Sequence, residues 1–449
     1  MRKLFFSTTD IQAISHRVII GASIRFEEAR RNDKLQFYPQ RREKALGSIF
    51  RFVVMLVTAV VTGRLFGTAA VDIRYRTILV GRYAISAALR HPSAYLNKIV
   101  YYGRLARNLF YCVRNIDNFL AISNRVAALY VNEPAYINGV YCELAAKLGL
   151  PVYHNMYPYR LTRFAMDRKT DAVNAFIVHP LNVPGRTEKG RHFLESIIAS
   201  TGKISYMANV EFESRAFAPS DADVVIYAHS FTDAQQAYGG DRAFLSMYDW
   251  LVFTLDELKD RKVVLKAHPG FFRKGYAAQV IEWDRVVFEA VIKRFSGRPN
   301  LTIIDWPMRN NELLSSLDKE CLLVSHHGNA LLEGAAFGFR CICAQATAWQ
   351  KYPLFNVWNT RQEYRQLLNS PSLLKLTEAE QLHGYVYDLY EGPCSFFHGD
   401  SWRQIAERET GVPANEISKN SKVLGRLSEE EIERLVDAVA KKLGTMEFH

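Results

Sequence analysis

The amino-acid sequence predicts an α/β protein of two Rossmann-like domains with a ligand site in the cleft between them. Three observations predict it. Apolar, strand-like runs alternate with helical segments from Ala127 onward. In the second half, three such runs stop abruptly in polar residues: DVVIYAHSFTDAQ, KVVLKAHPG and CLLVSHHGNALLEGAAFGF, between Asp223 and Phe339. The carboxyl ends of parallel strands are where open α/β sheets bind ligands. Finally, 449 residues are more than one hydrophobic core usually organises.

Composition fits a globular chain, with 49% hydrophobic and 23% charged residues. The six cysteines lie at 112, 142, 321, 341, 343 and 394 without a CxxC pair, so buried free thiols in a reducing cytoplasm are expected. Met1 to Phe6 carries two charges and is followed by no apolar h-region or cleavage site, so no signal peptide is expected.

Residues 1–115 make up a basic, membrane-proximal part of the first domain. They hold 20 Lys+Arg against 6 Asp+Glu, while the remainder holds 37 against 40. The whole net charge of +11 therefore arises in the first quarter of the chain. The uncharged run Phe52–Gly63 is too short to span a bilayer. Further on, YLNKIVYYGRLARNLFYCVRN interleaves Lys98, Arg104, Arg107 and Arg114 with apolar residues at helical spacing. Such a helix suits an anionic membrane surface, or packs on its own domain with a solvated basic face. No finger or RNP signature accompanies the charge, so no nucleic-acid partner is expected.

Residues 116–218 complete the first domain. Ala127–Asn132 reads as a strand, NEPAYINGVYCELAAKLGL as a loop entering a helix, and PVYHNMYPYR as a strand and aromatic loop. A helix around Glu188–Ser200 follows, with the domain boundary near 214–222. Residues 219–385 form the second domain, with strands at Val224–Ala228, Val263–Ala267, Leu301–Ile304, Leu322–Ser325 and Cys341–Ala344. Helices are expected at Phe244–Lys259, Ala277–Phe295, Asn311–Leu317 and Ala330–Phe337. Residues 386–449 form a helical extension whose last helix has Ser428 as its N-cap candidate. Two α/β domains with a site between them describe the GT-B architecture.

The chemistry rests on the strand ends. Pro269 has no amide to donate, so the strand before it ends at His268, which could meet a phosphate oxygen, shuttle a proton, or simply close the strand against backbone. After Ser325 and His326, Gly328 permits a tight turn and Asn329 can cap the next helix. The start of that helix is a ready anion site, and Glu333 could take ribose hydroxyls or complement the dipole. A nucleotide lying across the helix start satisfies both. His326, His327 and Glu333 also suggest a metal, but adjacent residues on an extended segment face opposite ways. With no DxD pair at a strand end, no metal or other cofactor is expected. Asp233 lies just past the strand ending at His229 and can serve as nucleophile or base beside His268, or as a turn or helix cap.

HSFTDA with MYDWL, LKAHP, SHHGNALLEGAAFGF and a later TRQEY together resemble the bacterial capsule and lipopolysaccharide glycosyltransferases that use CMP-activated sugars. The similarity is nearest to the retaining β-Kdo transferases and runs from Val224 to Tyr364, with weaker agreement at NEPAYINGV. The resemblance implies a GT-B glycosyltransferase with a CMP-sugar donor and a lipid-linked or oligosaccharide acceptor. It makes Asp233 the candidate nucleophile and His268 the histidine of the HP motif. Lys266, Pro269, Ser325, His326, Gly328, Asn329 and Glu333 would belong to the nucleotide-sugar site. Asn329 stands where the family has Ser or Thr, and Ala267 where it has Pro. Lys266 or Arg273 could meet the carboxylate of an acidic sugar. Glu133, Tyr136, Asn138, Tyr157 and Arg160 are the acceptor-side candidates. A cytoplasmic enzyme, peripheral on the inner membrane face, would fit a lipid-linked acceptor. The competing readings are a CDP-glycerol-type phosphotransferase, a nucleotide-sugar 2-epimerase, and a non-catalytic glycan-binding or scaffolding subunit.

Overall fold

A computed structural model describes residues 4–7, 36–39, 46–131, 135–150, 152–156, 160–163, 184–199, 210–213, 215, 221–236, 241–272, 278–344, 351–391, 401–411, 413 and 428–445. Two sheets organise them, one in each half of the chain.

The first sheet has the order β2-β1-β3-β4-β5. Its strands are β1 (Leu4–Ser7), β2 (Gln36–Pro39), β3 (Val126–Val131), β4 (Val152–Met156) and β5 (Arg160–Arg163). All pairs are parallel except β4 with β5. The sequence predicts β3 and β4 but not β1, β2 or β5. Around this sheet lie α1 (Leu46–Val61), α2 (Val80–Ala88), α3 (Lys98–Ile122) and α4 (Gly139–Lys147). Asn97 caps α3 by accepting the amides of Ile99 and Val100. Leu105, Leu109, Cys112, Val113, Ile116 and Phe119 of α3 recur every three or four residues and are fully buried. The apolar face of this helix is therefore domain core. The membrane reading of its pattern does not hold for that face, because burial against α2 and burial in lipid demand the same periodicity. Arg82 of α2 meets Glu143 of α4 at 2.9 Å with both side chains buried.

The second sheet is wholly parallel and runs β11-β10-β9-β6-β7-β8. Its strands are β6 (Val224–Tyr227), β7 (Val263–Lys266), β8 (Leu301–Ile304), β9 (Leu322–Val324), β10 (Arg340–Ala344) and β11 (Asn356–Trp358). Counted from β6, this is the 3-2-1-4-5-6 order of a dinucleotide-binding sheet, whose topological switch point lies between β6 and β9. Every residue of β6, β7 and β9 is buried, as a sheet covered on both faces requires. The covering helices include α5 (Arg186–Ala199), α6 (Met247–Glu257), α7 (Ala278–Phe295), α8 (Asn310–Ser316), α9 (Ala330–Ala336), α10 (Arg361–Asn369) and α11 (Ala379–Val386). Helix α5 precedes residue 218, yet its Leu194 joins the second core and its Arg186 reaches Asp388 at 2.6 Å. Helices α12 (Ser401–Thr410) and α13 (Glu429–Thr445) follow, and Ser428 and Glu431 bond reciprocally at the start of α13. The five cysteines among the described residues are free and buried.

The halves meet beside the switch point. Tyr95 donates to the Phe231 carbonyl and Tyr136 to the Thr232 carbonyl at 2.8 Å. Arg242 pairs with Asp72 at 2.9 Å, and Ala234 is buried in the core of the first half. This fold is α/β with two Rossmann-like sheets, as the sequence predicts.

Candidate active site

Strands β6, β7 and β9 deliver their carboxyl ends to the same place. Beyond β6 the chain passes His229 and turns at Phe231–Thr232 to reach Asp233. The carboxylate lies 3.8 Å from His229 Nδ1 and 3.7 Å from His327 Nε2. The rings of His229 and His327 are 4.0 Å apart, and those of His229 and His268 are 5.3 Å apart. One carboxylate and three imidazoles from three strands thus converge at the switch point.

Burial sets their charge. It holds His268 down to about 3, with neighbouring His229 and Lys266 adding to the shift, and holds His229 down to about 3 beside His327. Both rings are therefore neutral near pH 7. Burial alone favours a protonated Asp233, but the approach of His327 and His229 and a 2.8 Å bond from the Ala234 amide outweigh it and lower its pKa. The site pairs an ionised carboxylate with neutral imidazoles. Nδ1 of His268 accepts the Gly270 amide at 3.1 Å, so the neutral ring carries its proton on Nε2 as a donor. A Cβ on Gly270 would lie 2.7 Å from that Nδ1, which is why the HP turn continues in glycine.

A second layer fixes this one. His326 is buried between Asp241, at 2.7 Å from its Nε2, and His327, whose Nδ1 is 2.9 Å from its own. Gln235 lies 3.1 Å from the same His326 nitrogen. His326 is therefore buried and engaged by Asp241, Gln235 and His327. Asp284 of α7 accepts Ser230 Oγ at 2.6 Å and the Thr232 amide at 2.8 Å, clamping the turn that carries Asp233. Burial pushes its carboxyl up to about 6. Sequence reasoning missed Asp284, Asp241 and Gln235. Asp284 left one signal, an acid flanked by Trp283 on an otherwise apolar helix face.

The expected nucleotide residues fall beside these. Gly328 has φ of 142°, a conformation open only to glycine, and a Cβ there would stand 3.3 Å from the His229 ring. Ser325 is buried and its hydroxyl faces the carbonyls of Tyr227 and His327 at 3.2 and 2.9 Å, so it shapes the turn. Asn329 precedes α9 in helical conformation with no side-chain capping bond, against expectation: the tight Gly328 turn already sets the helix start. Pro269 opens a 3-10 turn through Phe272. Lys266 is buried at the end of β7, lowered to about 8 by burial, with Glu333 pulling the other way. Glu333, raised by burial, accepts Asn310 Nδ2 at 3.0 Å.

Of the residues expected on the acceptor side, Tyr136 reaches the junction with φ of 53° and carries the Arg90 guanidinium 4.6 Å above its ring. Asn138 ends the same 3-10 turn, and Arg160 opens β5 opposite Met156. Glu133, Tyr157 and Arg273 lie outside the described residues. His229, Asp233 and His327 bring three metal-ligand atoms within 4.8 Å of one another and are the set that could hold a divalent ion. The trio suggested by sequence, His326, His327 and Glu333, is not that set: His326 is engaged by Asp241 and Glu333 by Asn310.

No family model and no curated protein sequence matches this chain. Solved structures similar to it include a β-Kdo 2,4 transferase, KpsC of Thermosulfurimonas dismutans, at 13% identity and TM-score 0.37, covering 58% of this chain and 79% of that one. The UDP-GlcNAc 2-epimerase of Methanocaldococcus jannaschii, in complex with UDP-GlcNAc and UDP, matches at 10% identity and TM-score 0.29, covering 87% and 100%. MnaA of S. aureus with UDP matches at 11% identity and TM-score 0.27, covering 86% and 91%.

Proposed function

We propose that this chain is a glycosyltransferase that moves a sugar from a CMP-activated donor, CMP-Kdo by its sequence resemblance, to a bacterial capsule or lipopolysaccharide acceptor. The observation that carries the reading is the convergence of ionised Asp233 with neutral His229, His268 and His327 at the switch point of a parallel sheet. In open α/β sheets, crevices of this kind take nucleotides.

The phosphate of the donor lies by the Gly328 turn, within reach of the His268 Nε2–H. Asp233 attacks the anomeric carbon as the bond to the phosphate oxygen breaks, and the bonding pair leaves with CMP. The His268 proton stabilises that departing oxygen. An acceptor hydroxyl then displaces Asp233 from the covalent sugar, giving up its proton to a neutral imidazole, for which His327 is best placed. Buried Lys266 is the cation available for the sugar carboxylate. The acceptor enters from the first half, past Tyr136 and Arg90.

Thermal stabilisation by CMP, CDP, UDP, GDP and ADP tests the reading. Selective stabilisation by CMP, lost in His268→Ala and kept in Asp233→Ala, is the expected result. Preference for UDP would instead favour a 2-epimerase, and transfer of glycerol phosphate from a CDP-linked donor with release of CMP a phosphotransferase. No response to any nucleotide would turn the reading toward a non-catalytic subunit.

A further inference from the structure

Helix α1 has two apolar faces, and the fold uses one. Ser48, Met55 and Ala59 are buried against the domain, with Phe52 packed beside them. On the opposite stripe, Phe50, Val53, Val57 and Val61 stand 74%, 48%, 55% and 80% exposed. Thr58 and Thr62, on the same helix end, turn their hydroxyls back to the Val54 and Thr58 carbonyls at 2.8 and 2.7 Å, so they present little polarity outward. Phe66 and Ile99 are also left exposed, at 52% and 83%.

Beside this stripe a cavity of about 370 Å³ opens between α1 and residues 73–76. Apolar Phe50, Val54 and Ile73 line it together with four arginines, Arg51, Arg64, Arg74 and Arg76. Asp117 faces two of them, at 2.9 Å from Arg51 and 3.6 Å from Arg76. An apolar stripe beside an arginine-lined cavity, in a part of the chain with 20 Lys+Arg against 6 Asp+Glu, matches the interface of an anionic bilayer, acyl chains below and phosphates above. No helix among the described residues is long and apolar enough to cross a membrane, so the fit is to lying on the surface. Asp72, next to the cavity wall, pairs with Arg242 of the second half, which puts this surface in continuity with the junction of the halves.

We propose that the exposed face of α1 and its arginine-lined cavity dock this protein on an anionic phospholipid surface, with lipid phosphates in the cavity. The proposal does not depend on the sugar chemistry. The contact lies on α1 and not on the apolar face of α3, which the domain core covers.

Co-sedimentation of the full chain with phosphatidylcholine vesicles, with and without phosphatidylglycerol, tests it. Binding is expected only with phosphatidylglycerol and should weaken with salt. Val53→Asp with Val57→Asp should lower binding at least tenfold, and Arg64→Glu about fivefold or more. Val57→Ser is a milder change that cannot unfold an exposed position and should still weaken binding. All variants should keep the wild-type melting temperature and nucleotide response. Binding that ignores phosphatidylglycerol, or survives the aspartates, overturns the proposal. So does a wild-type dimer in light scattering that Val57→Ser dissociates without any vesicle binding, which would make a second copy of the chain the occupant.

Discussion

At the scale of single residues, the site is defined by proton positions. His229 and His268 are both held down to about 3 by burial, against an ordinary value of about 6.5. Between those values the unfolded chain binds protons that the folded chain does not. Stability should therefore fall as pH drops below about 6.5, by up to about 1.4 kcal/mol per pH unit for each ring. Asp284 has the opposite sign: pushed up to about 6, it keeps in the fold a proton the unfolded chain has already released, so its contribution falls as pH rises toward 6. Two histidines outweigh one carboxyl, and net acid lability is the expected outcome. Urea melts from about pH 7 to about pH 4 measure it. His229→Gln should flatten the slope, and an unchanged slope would mean that this imidazole is not buried in its neutral form.

At the scale of elements, five of the six strands of the second sheet were legible because they are continuous apolar runs, some ended by residues a ladder cannot use, such as Pro269; the three-residue β11 carries no such run. The first sheet was half legible. LFFS and QFYP are four-residue strands, too short to carry a pattern; they pair with each other, and only LFFS meets β3, far along the chain. The site divides in the same way. Asp233, His268 and Gly328 follow directly from strand ends, while Asp284 comes from the middle of α7 and meets the site only through tertiary packing. Its role is one of positioning, and isosteric replacement isolates it. Asp284→Asn keeps an acceptor for the Thr232 amide and a group able to bond Ser230, so transfer should stay near wild type. Asp284→Ala leaves that buried amide without an acceptor, at a cost of about 1–3 kcal/mol, and frees the turn that aims Asp233. Turnover should drop at least tenfold with little change in donor KM. An equal loss in both variants would point instead to a proton held by Asp284 itself.

At the scale of the whole molecule, the carboxylate is mounted on one half and registered by the other. The segment around Asp233 belongs to the second sheet, yet the Tyr95 and Tyr136 hydroxyls grip the Phe231 and Thr232 carbonyls, and Ala234 sits in the first core. The groups proposed to meet the nucleotide, His268, Lys266 and Glu333, all stand on the second half and need no such grip. Nucleotide binding and transfer should therefore separate when the junction is loosened. Tyr136→Phe removes one hydroxyl and leaves the Thr232 carbonyl without that donor, a loss of about 1 kcal/mol that should lower the melting temperature by only a few degrees. CMP should stabilise this variant as well as wild type, while kcat for transfer falls as Asp233 loses its register. Adding Tyr95→Phe should deepen the fall in kcat and again spare CMP binding. Parallel loss of CMP stabilisation would mean that the nucleotide itself spans the junction, making the first half part of the donor site.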